Sequence, residues 1–346
     1  MKHLKLLKIG TVLFLSLSIF SCATFSHKPI GITKEFPFGK LDIQALPGGA
    51  CTAPFFIAKE KDFFAHEGLD VTLVSGTFET QKTGLASGRF TVAVGDFQFF
   101  PSVNQGLDIK LIGGLHEGCI KLVVPPGSPI KEAKDLAGKK IGVDEIGGTP
   151  MAISSVYLAN NGIDPTTGVT WLPFPLENLQ QAAEKGEADA IALWDPFGTL
   201  AEKKGYLVLC DIGKHPLFAG RYCCCLYASN QQLKEFPERI KAILVSLQKA
   251  SEWITQNPEE AAKIMIEKKY IASNDTALLT ELIKSYKYHA HHNAHTRHKA
   301  KSDALYFTDQ LKKTGFLPKN LDSKKFVDNL YYDFPTEVET ADHKEH

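Results

Sequence analysis

Three consecutive cysteines, Cys223-Cys-Cys225, carry the densest reactive chemistry in this sequence. A thiolate is both a nucleophile and a soft metal ligand, so the triplet suits metal binding or thiol chemistry. The competing reading is packing, since cysteine also serves as a small buried apolar residue. On a strand, side chains alternate between faces, which puts Cys223 and Cys225 on one side and Cys224 on the other. The remaining cysteines, Cys22, Cys51, Cys119 and Cys210, match no paired CxxC zinc spacing. A second cluster is His289, His291, His292, His295 and His298. On a helix, His291 and His295 stand at i, i+4 and His295 and His298 at i, i+3, so three imidazoles share a face suited to zinc or nickel. In a loop the same histidines form a plain solvated surface. There is no Ser-His-Asp order, P-loop or HExxH, so hydrolase and ATPase chemistry find no support. No cofactor is implied.

The elements that must position these residues alternate short β-rich runs with helical stretches from Leu41 onward, the pattern of parallel sheets built from βαβ units. Expected strands are Asp42–Leu46, Val71–Val74, Phe90–Val94 and Ile109–Ile112. A second set follows the breaker Pro125-Pro-Gly127: Lys140–Val143, Val169–Leu172, Ala188–Leu193 and Tyr206–Cys210. Helices are expected near Pro54–His66, Thr80–Ala86, Gln98–Gln105, Thr149–Asn160, Leu176–Glu184 and Phe197–Lys204. From Asn230 the chain reads as helical throughout, with Ile240, Ile243, Leu244, Leu247 and Ile254 at helical period. Asn257-Pro-Glu-Glu260 reads as an N-cap, a proline at N1 and a glutamate at N3.

In open α/β sheets ligands bind beyond the carboxyl ends of the strands. Those ends here are Pro47–Pro54, Ser75–Glu79, Gly95–Gln98, Gly113–Cys119, Asp144–Pro150 and Trp194–Phe197. Six loops rich in glycine, threonine, acids or aromatics, spread over both halves, favour a binding cleft over plain turns. None contains arginine, whereas Glu79, Asp96, Glu117, Asp144, Glu145 and Asp195 fall in them. A neutral or partly cationic solute is therefore as reasonable as an oxyanion.

The amino terminus has its own logic. Lys2, Lys5 and Lys8 precede an apolar run, Ile9–Phe20, that is too short to cross a bilayer and fits the h-region of an export signal. Ile19-Phe-Ser-Cys22 is similar to the lipobox of bacterial lipoproteins, which implies cleavage after residue 21 and a lipid on Cys22. The protein is then extracytoplasmic and membrane-anchored. Residues 22–38 read as a tether and residues 336–346 as a frayed tail. Loss of the three lysines leaves 36 basic against 39 acidic side chains, so nothing points to nucleic acid.

Three stretches carry a resemblance: Ala53–Val71 (APFFIAKEKDFFAHEGLDV), Ile130–Gly142 (IKEAKDLAGKKIG) and Ala188–Phe197 (ADAIALWDPF). In them the chain resembles the nitrate/sulfonate/taurine-type family of ABC-importer solute-binding proteins. The resemblance implies a type II periplasmic-binding-protein fold of class α/β: two lobes, each a mostly parallel sheet flanked by helices, closing on a hinge. Carried over, the chain crosses between lobes at Ile120–Pro125 and Tyr222–Ser229. Lobe one is then 39–122 with 226–335, and lobe two 123–225. The family's cleft positions fall on Thr52, Ala53, Thr77, Asp96, Phe97, His116, Gly148, Thr149, Trp194 and Asp195. The implied protein is a monomer without catalytic activity, its partners a small solute and the permease and ATPase subunits of an importer. Neighbouring crossings also bring Cys119 within reach of the triplet, with Cys224 its candidate disulfide partner, although packing or a metal remains an alternative. The triplet itself resembles part of the cysteine run of thiamine-pyrimidine synthases, relatives of the same fold. That leaves an enzyme or a metal-binding protein, using Cys223–Cys225 or the 289–298 histidines, as the other reading.

Overall fold

The computed structural model describes residues 35–45, 48–271, 273–288 and 294–334. The export signal, Cys22, most of the tether and the tail from 336 lie outside the described residues, as do His289, His291, His292 and the side chain of His295.

Apolar runs of five or six residues set the architecture. The first half alternates β1 (Lys40–Gln44), α1 (Ala53–Glu60), α2 (Phe63–His66), β2 (Asp70–Val74), α3 (Phe78–Ala86), β3 (Phe90–Gly95), α4 (Phe100–Asn104) and β4 (Ile109–Glu117). The second set is β5 (Ile120–Val124), β6 (Lys140–Val143), α5 (Thr149–Asn160), β7 (Thr170–Pro173), α6 (Leu179–Glu184), β8 (Ala190–Trp194), α7 (Phe197–Lys203) and β9 (Leu207–Asp211). Then come β10 (Tyr222–Ser229), α8 (Asn230–Glu235), α9 (Pro237–Gln256), α10 (Pro258–Glu267), α11 (Thr276–Ser285), α12 (Ala294–Lys313) and α13 (Ser323–Leu330). Every residue of β3, Phe-Thr-Val-Ala-Val-Gly, is buried, as a central strand covered on both faces requires.

Two five-stranded sheets result, ordered β2-β1-β3-β10-β4 and β7-β6-β8-β5-β9. In each, one strand runs against the rest: β10 is antiparallel to β3 and β4, and β5 to β8 and β9. This is the expected two-lobed periplasmic-binding-protein fold, with mostly parallel sheets.

The passages between sheets differ from the expectation. Ile120–Val124 pairs wholly within the second sheet and Tyr222–Ser229 wholly within the first. The chain passes across at Gly118-Cys119 and returns through residues 212–221. Nor does β4 stop at Ile112. Gly113 and Gly114 carry it on to Glu117 against β10, and the Tyr222 ring lies where a Cβ on Gly114 would stand.

The long apolar stripe of α9 buries Ile240, Ile243, Leu244, Leu247 and Ile254 against α1 and α2. Two local expectations hold only in part. The helix from Pro54 breaks at Asp62, whose φ of 57° is left-handed, a conformation aspartate tolerates. Asn257 holds the N-cap position of α10 with Pro258 at N1, as expected, but its side chain makes no capping bond; Nδ2 donates back to the Trp253 carbonyl at 2.9 Å. Among the described residues, no helix is long and apolar enough to cross a membrane.

Candidate ligand cleft and the thiol cluster beneath it

The strand ends of both sheets face one another across a cavity of about 320 Å³. The first half lines it with Gly49, Cys51, Gly76, Thr77, Phe78, Gln81 and Gln98. The second half brings Asp144, Glu145, Gly148, Thr149, Leu176 and Trp194. Trp194 ends β8 half-buried, and its Nε1 donates to Asp144 Oδ2 at 2.7 Å. Burial raises the Asp144 carboxyl above its ordinary range, although the Trp194 hydrogen bond pulls the other way. Glu145 reaches across the gap, both carboxylate oxygens accepting from the Phe78 N–H at 3.0 and 3.1 Å. Phe78 opens α3 after Thr77, whose hydroxyl oxygen caps the helix by accepting from Thr80 N–H. The helix start offers unsatisfied N–H groups, and an acid from the opposite half fills the place. Among the described residues, the cavity lining holds two carboxylates and neither lysine, arginine nor histidine.

Of the ten positions expected in the cleft, Thr77, Gly148, Thr149 and Trp194 line this cavity. The other six are placed deeper. Ala53 is fully buried in α1, and Thr52 is buried beneath it, its hydroxyl donating to the Gly49 carbonyl at 3.2 Å. Phe97 stacks on Phe307 with ring centroids 4.1 Å apart. Asp96 is buried after β3; one carboxylate oxygen accepts from Gln98 N–H at 2.6 Å and the other has no partner. Burial pushes its carboxyl up to about 8 against the pull of Thr149 and the Gln98 N–H. Asp195 accepts from both the N–H and hydroxyl of Thr199, so it caps α7 while Lys121 stands nearby. Gln98 and Glu145 lie in strand-end loops the sequence singled out, though not among its ten positions, whereas Gln81 was missed. Gln81 lies inside a helix, a turn beyond the loop, where no motif marks it.

His116 sits at the end of β4, fully buried, among thiols. Its Nδ1 lies 3.3 Å from the Glu117 carbonyl, and Nε2 is buried with no hydrogen-bond partner. Cys51, Cys119 and Cys224 surround it, with one ligating atom from each of the four residues all within 4.8 Å of one another. Cys119 Sγ is 3.1 Å from Cys223 Sγ. The sequence-expected pair Cys119 and Cys224 therefore share a cluster, but Cys223 is the hydrogen-bonded neighbour, and the six described cysteines are free thiols. Strict alternation fails because the register of β10 against β4 shifts on both sides of Cys224. Burial alone lowers His116, yet the Cys224 and Cys51 thiols outweigh it and raise its pKa well above the usual range. Hydrogen bonding from Cys119 leads the effects that hold Cys224 below the ordinary thiol value. Of the histidine cluster, His298 is exposed on α12.

The family model described as NMT1/THI5 like matches residues 50–261. The nitrate/nitrite binding protein NrtA of Nostoc sp. is 24% identical over 249 residues, 63% of this chain and 55% of that protein. The chain thus spans little more than half of that relative's length. A 4-amino-5-hydroxymethyl-2-methylpyrimidine phosphate synthase of Saccharomyces cerevisiae, THI11, is 24% identical over 248 residues, 64% of this chain and 68% of that protein. Among solved structures, the alkanesulfonate-binding protein SsuA from Xanthomonas axonopodis pv. citri, bound to MOPS, superposes with a TM-score of 0.66. It is 17% identical and the match covers 83% of this chain and 97% of that one, a likeness of fold.

Proposed function

Starting from a chain that belongs to the NMT1/THI5-like family, we propose that it captures a small polar organic solute between its two lobes. It then delivers that solute to the permease and ATPase subunits of an ABC importer. The observation that carries this reading is the cavity lined from both sheets, with Glu145 of one half already bonded to the start of α3 in the other. Closure turns on Gly118-Cys119 and residues 212–221, with lobe one near 39–117 and 222–334 and lobe two near 120–211. A lipid on Cys22 holds the monomer at the outer face of a membrane; intact mass of bacterially made protein tests that.

The solute carries hydrogen-bonding groups and no net negative charge. Asp144 and Glu145 repel an anion, Gln81, Gln98 and Thr149 serve neutral polar groups, and Trp194 offers a face for a flat ring. A pyrimidine-like compound fits these requirements better than a sulfonate or nitrate. Thermal-shift screening of aminopyrimidines and amines against sulfonates and nitrate, followed by calorimetric titration, tests the assignment. A ligand at 100 times its Kd stabilises by about 2.7 kcal/mol, which such a screen detects. Stabilisation by sulfonates alone would overturn the charge argument. Stabilisation by no member of either group would count against solute capture.

Binding proceeds without turnover, so a stabilising solute should be recovered chemically unchanged. The synthase reading draws on the triplet, of which Cys223 and Cys224 are buried and Cys225 half-buried, and on the yeast relative. A modified product that disappears in Cys223→Ala, Cys224→Ala or Cys225→Ala would establish that reading instead.

A further inference from the structure

We propose that Cys51, His116, Cys119 and Cys224 form a resident metal site for an ion of the zinc class, independent of solute capture. The four residues come from separate segments. Cys51 lies in the turn before α1, His116 near the end of β4, Cys119 in the two-residue passage between sheets, and Cys224 on β10 opposite His116. Local sequence holds only His116 and Cys119 near each other, three residues apart, yet the ligating atoms of all four fall within 4.8 Å of one another and all four residues are buried. Two thiolates sharing a tetrahedral zinc at ~2.3 Å are roughly 3.8 Å apart. The cluster therefore has to contract by about an ångström at most to close on one ion.

The histidine supplies a second, separate observation. A buried imidazole nitrogen without a hydrogen-bond partner is costly. His116 Nε2 is such a nitrogen, while Nδ1 stands against the Glu117 carbonyl. With the proton on Nδ1 facing the carbonyl, the Nε2 lone pair is free to bind a metal, and the carbonyl fixes ring and tautomer as partners of ligating histidines commonly do. Cys223, 3.1 Å from Cys119, can donate its S–H to the Cys119 sulfur once that sulfur is a thiolate. Three thiolates and one imidazole in a closed, buried shell select zinc over hard ions and leave no position open for substrate. On binding, the divalent ion displaces three thiol protons, and no redox step is involved. The ion fastens the outgoing passage to the strand beside the returning one, directly beneath the cleft that Cys51 also lines.

The test uses the full chain purified under nitrogen with a non-chelating reductant. Elemental analysis should find one zinc per chain that survives dialysis against a weak chelator. Cobalt(II) titrated into chelator-stripped protein should give thiolate-to-cobalt charge-transfer bands and intense tetrahedral d–d bands, saturating at one equivalent. Cys119→Ser and His116→Ala should each lower metal affinity at least tenfold. His116→Cys should keep the ion with altered charge-transfer intensity, and Cys210→Ser, in the second sheet away from the cluster, should leave the spectrum unchanged. If Cys119→Ser fails to fold by circular dichroism, the wild-type cobalt spectrum decides the matter alone. Absence of tetrahedral thiolate bands in the folded wild type, equal loss in Cys210→Ser, or recovery of a Cys119–Cys223 disulfide from the anaerobic preparation would overturn the site.

Discussion

Trp194 is tied to Asp144 by a single hydrogen bond, and the pair forms one wall of the cavity. Truncation to alanine removes both the ring face and the donor. Trp194→Ala should weaken solute binding by at least ~1 kcal/mol, about fivefold or more, because aromatic contacts are of that order. Trp194 lines the cavity half-buried, and the Trp171 Nε1 donates elsewhere, to the Pro165 carbonyl. The apo variant should accordingly remain folded; calorimetric titration beside a urea curve checks both points. Asp144 adds a pH signature. Its carboxyl is raised in the folded state, so between the ordinary carboxylate value and the raised one the folded protein holds more protons than the unfolded chain. Its contribution to stability is full below the unfolded pKa and is lost as pH rises through the folded one. In denaturant melts of the solute-free protein, Asp144→Asn should gain on the wild type steadily as pH rises from 4, and a constant difference would contradict the raised carboxyl.

At the scale of elements, the glycines of β4 matter more than its apolar residues. Gly114→Ala would drive a methyl group into the Tyr222 ring on β10, and overpacking of this kind costs roughly 1–3 kcal/mol. The expected result is a lower midpoint in urea with an unchanged m-value. That strand also shows where sequence reasoning ran out. The period-two and period-3.6 patterns made β1 to β3, β6 to β9 and the helices between them legible, since each buries an apolar face that repeats locally. The extent of β4 was not legible, because Gly113-Gly114 reads as a turn unless β10 is known to lie alongside. The crossings carried over from the resemblance fall on β5 and β10 themselves, just after the passages that connect the sheets. The same long-range pairing decides the thiol cluster: Cys51, His116, Cys119 and Cys224 carry no common spacing, and only the junction of the sheets collects them. Loops such as Asp144–Thr149 were recognisable from composition, whereas Gln81, a turn inside α3, was not.

For the molecule as a whole, the decisive contact is the one between Glu145 and the first N–H of α3. Removing the carboxylate in Glu145→Ala should widen the solute-free protein, seen as a larger radius of gyration in small-angle scattering, while the solute-bound form is unchanged. Equal radii for variant and wild type without solute would show that the contact does not hold the lobes together. The same contact has a consequence for timing. On the proposed reading, an arriving solute meets a gap that is already bridged, so entry waits on the fraction of molecules in which the bridge is momentarily open, and the apparent affinity falls by that fraction. In stopped-flow mixing, the observed capture rate should climb with solute concentration and then level at the rate of bridge opening. In Glu145→Ala the plateau should rise or vanish, leaving encounter by diffusion as the slow step.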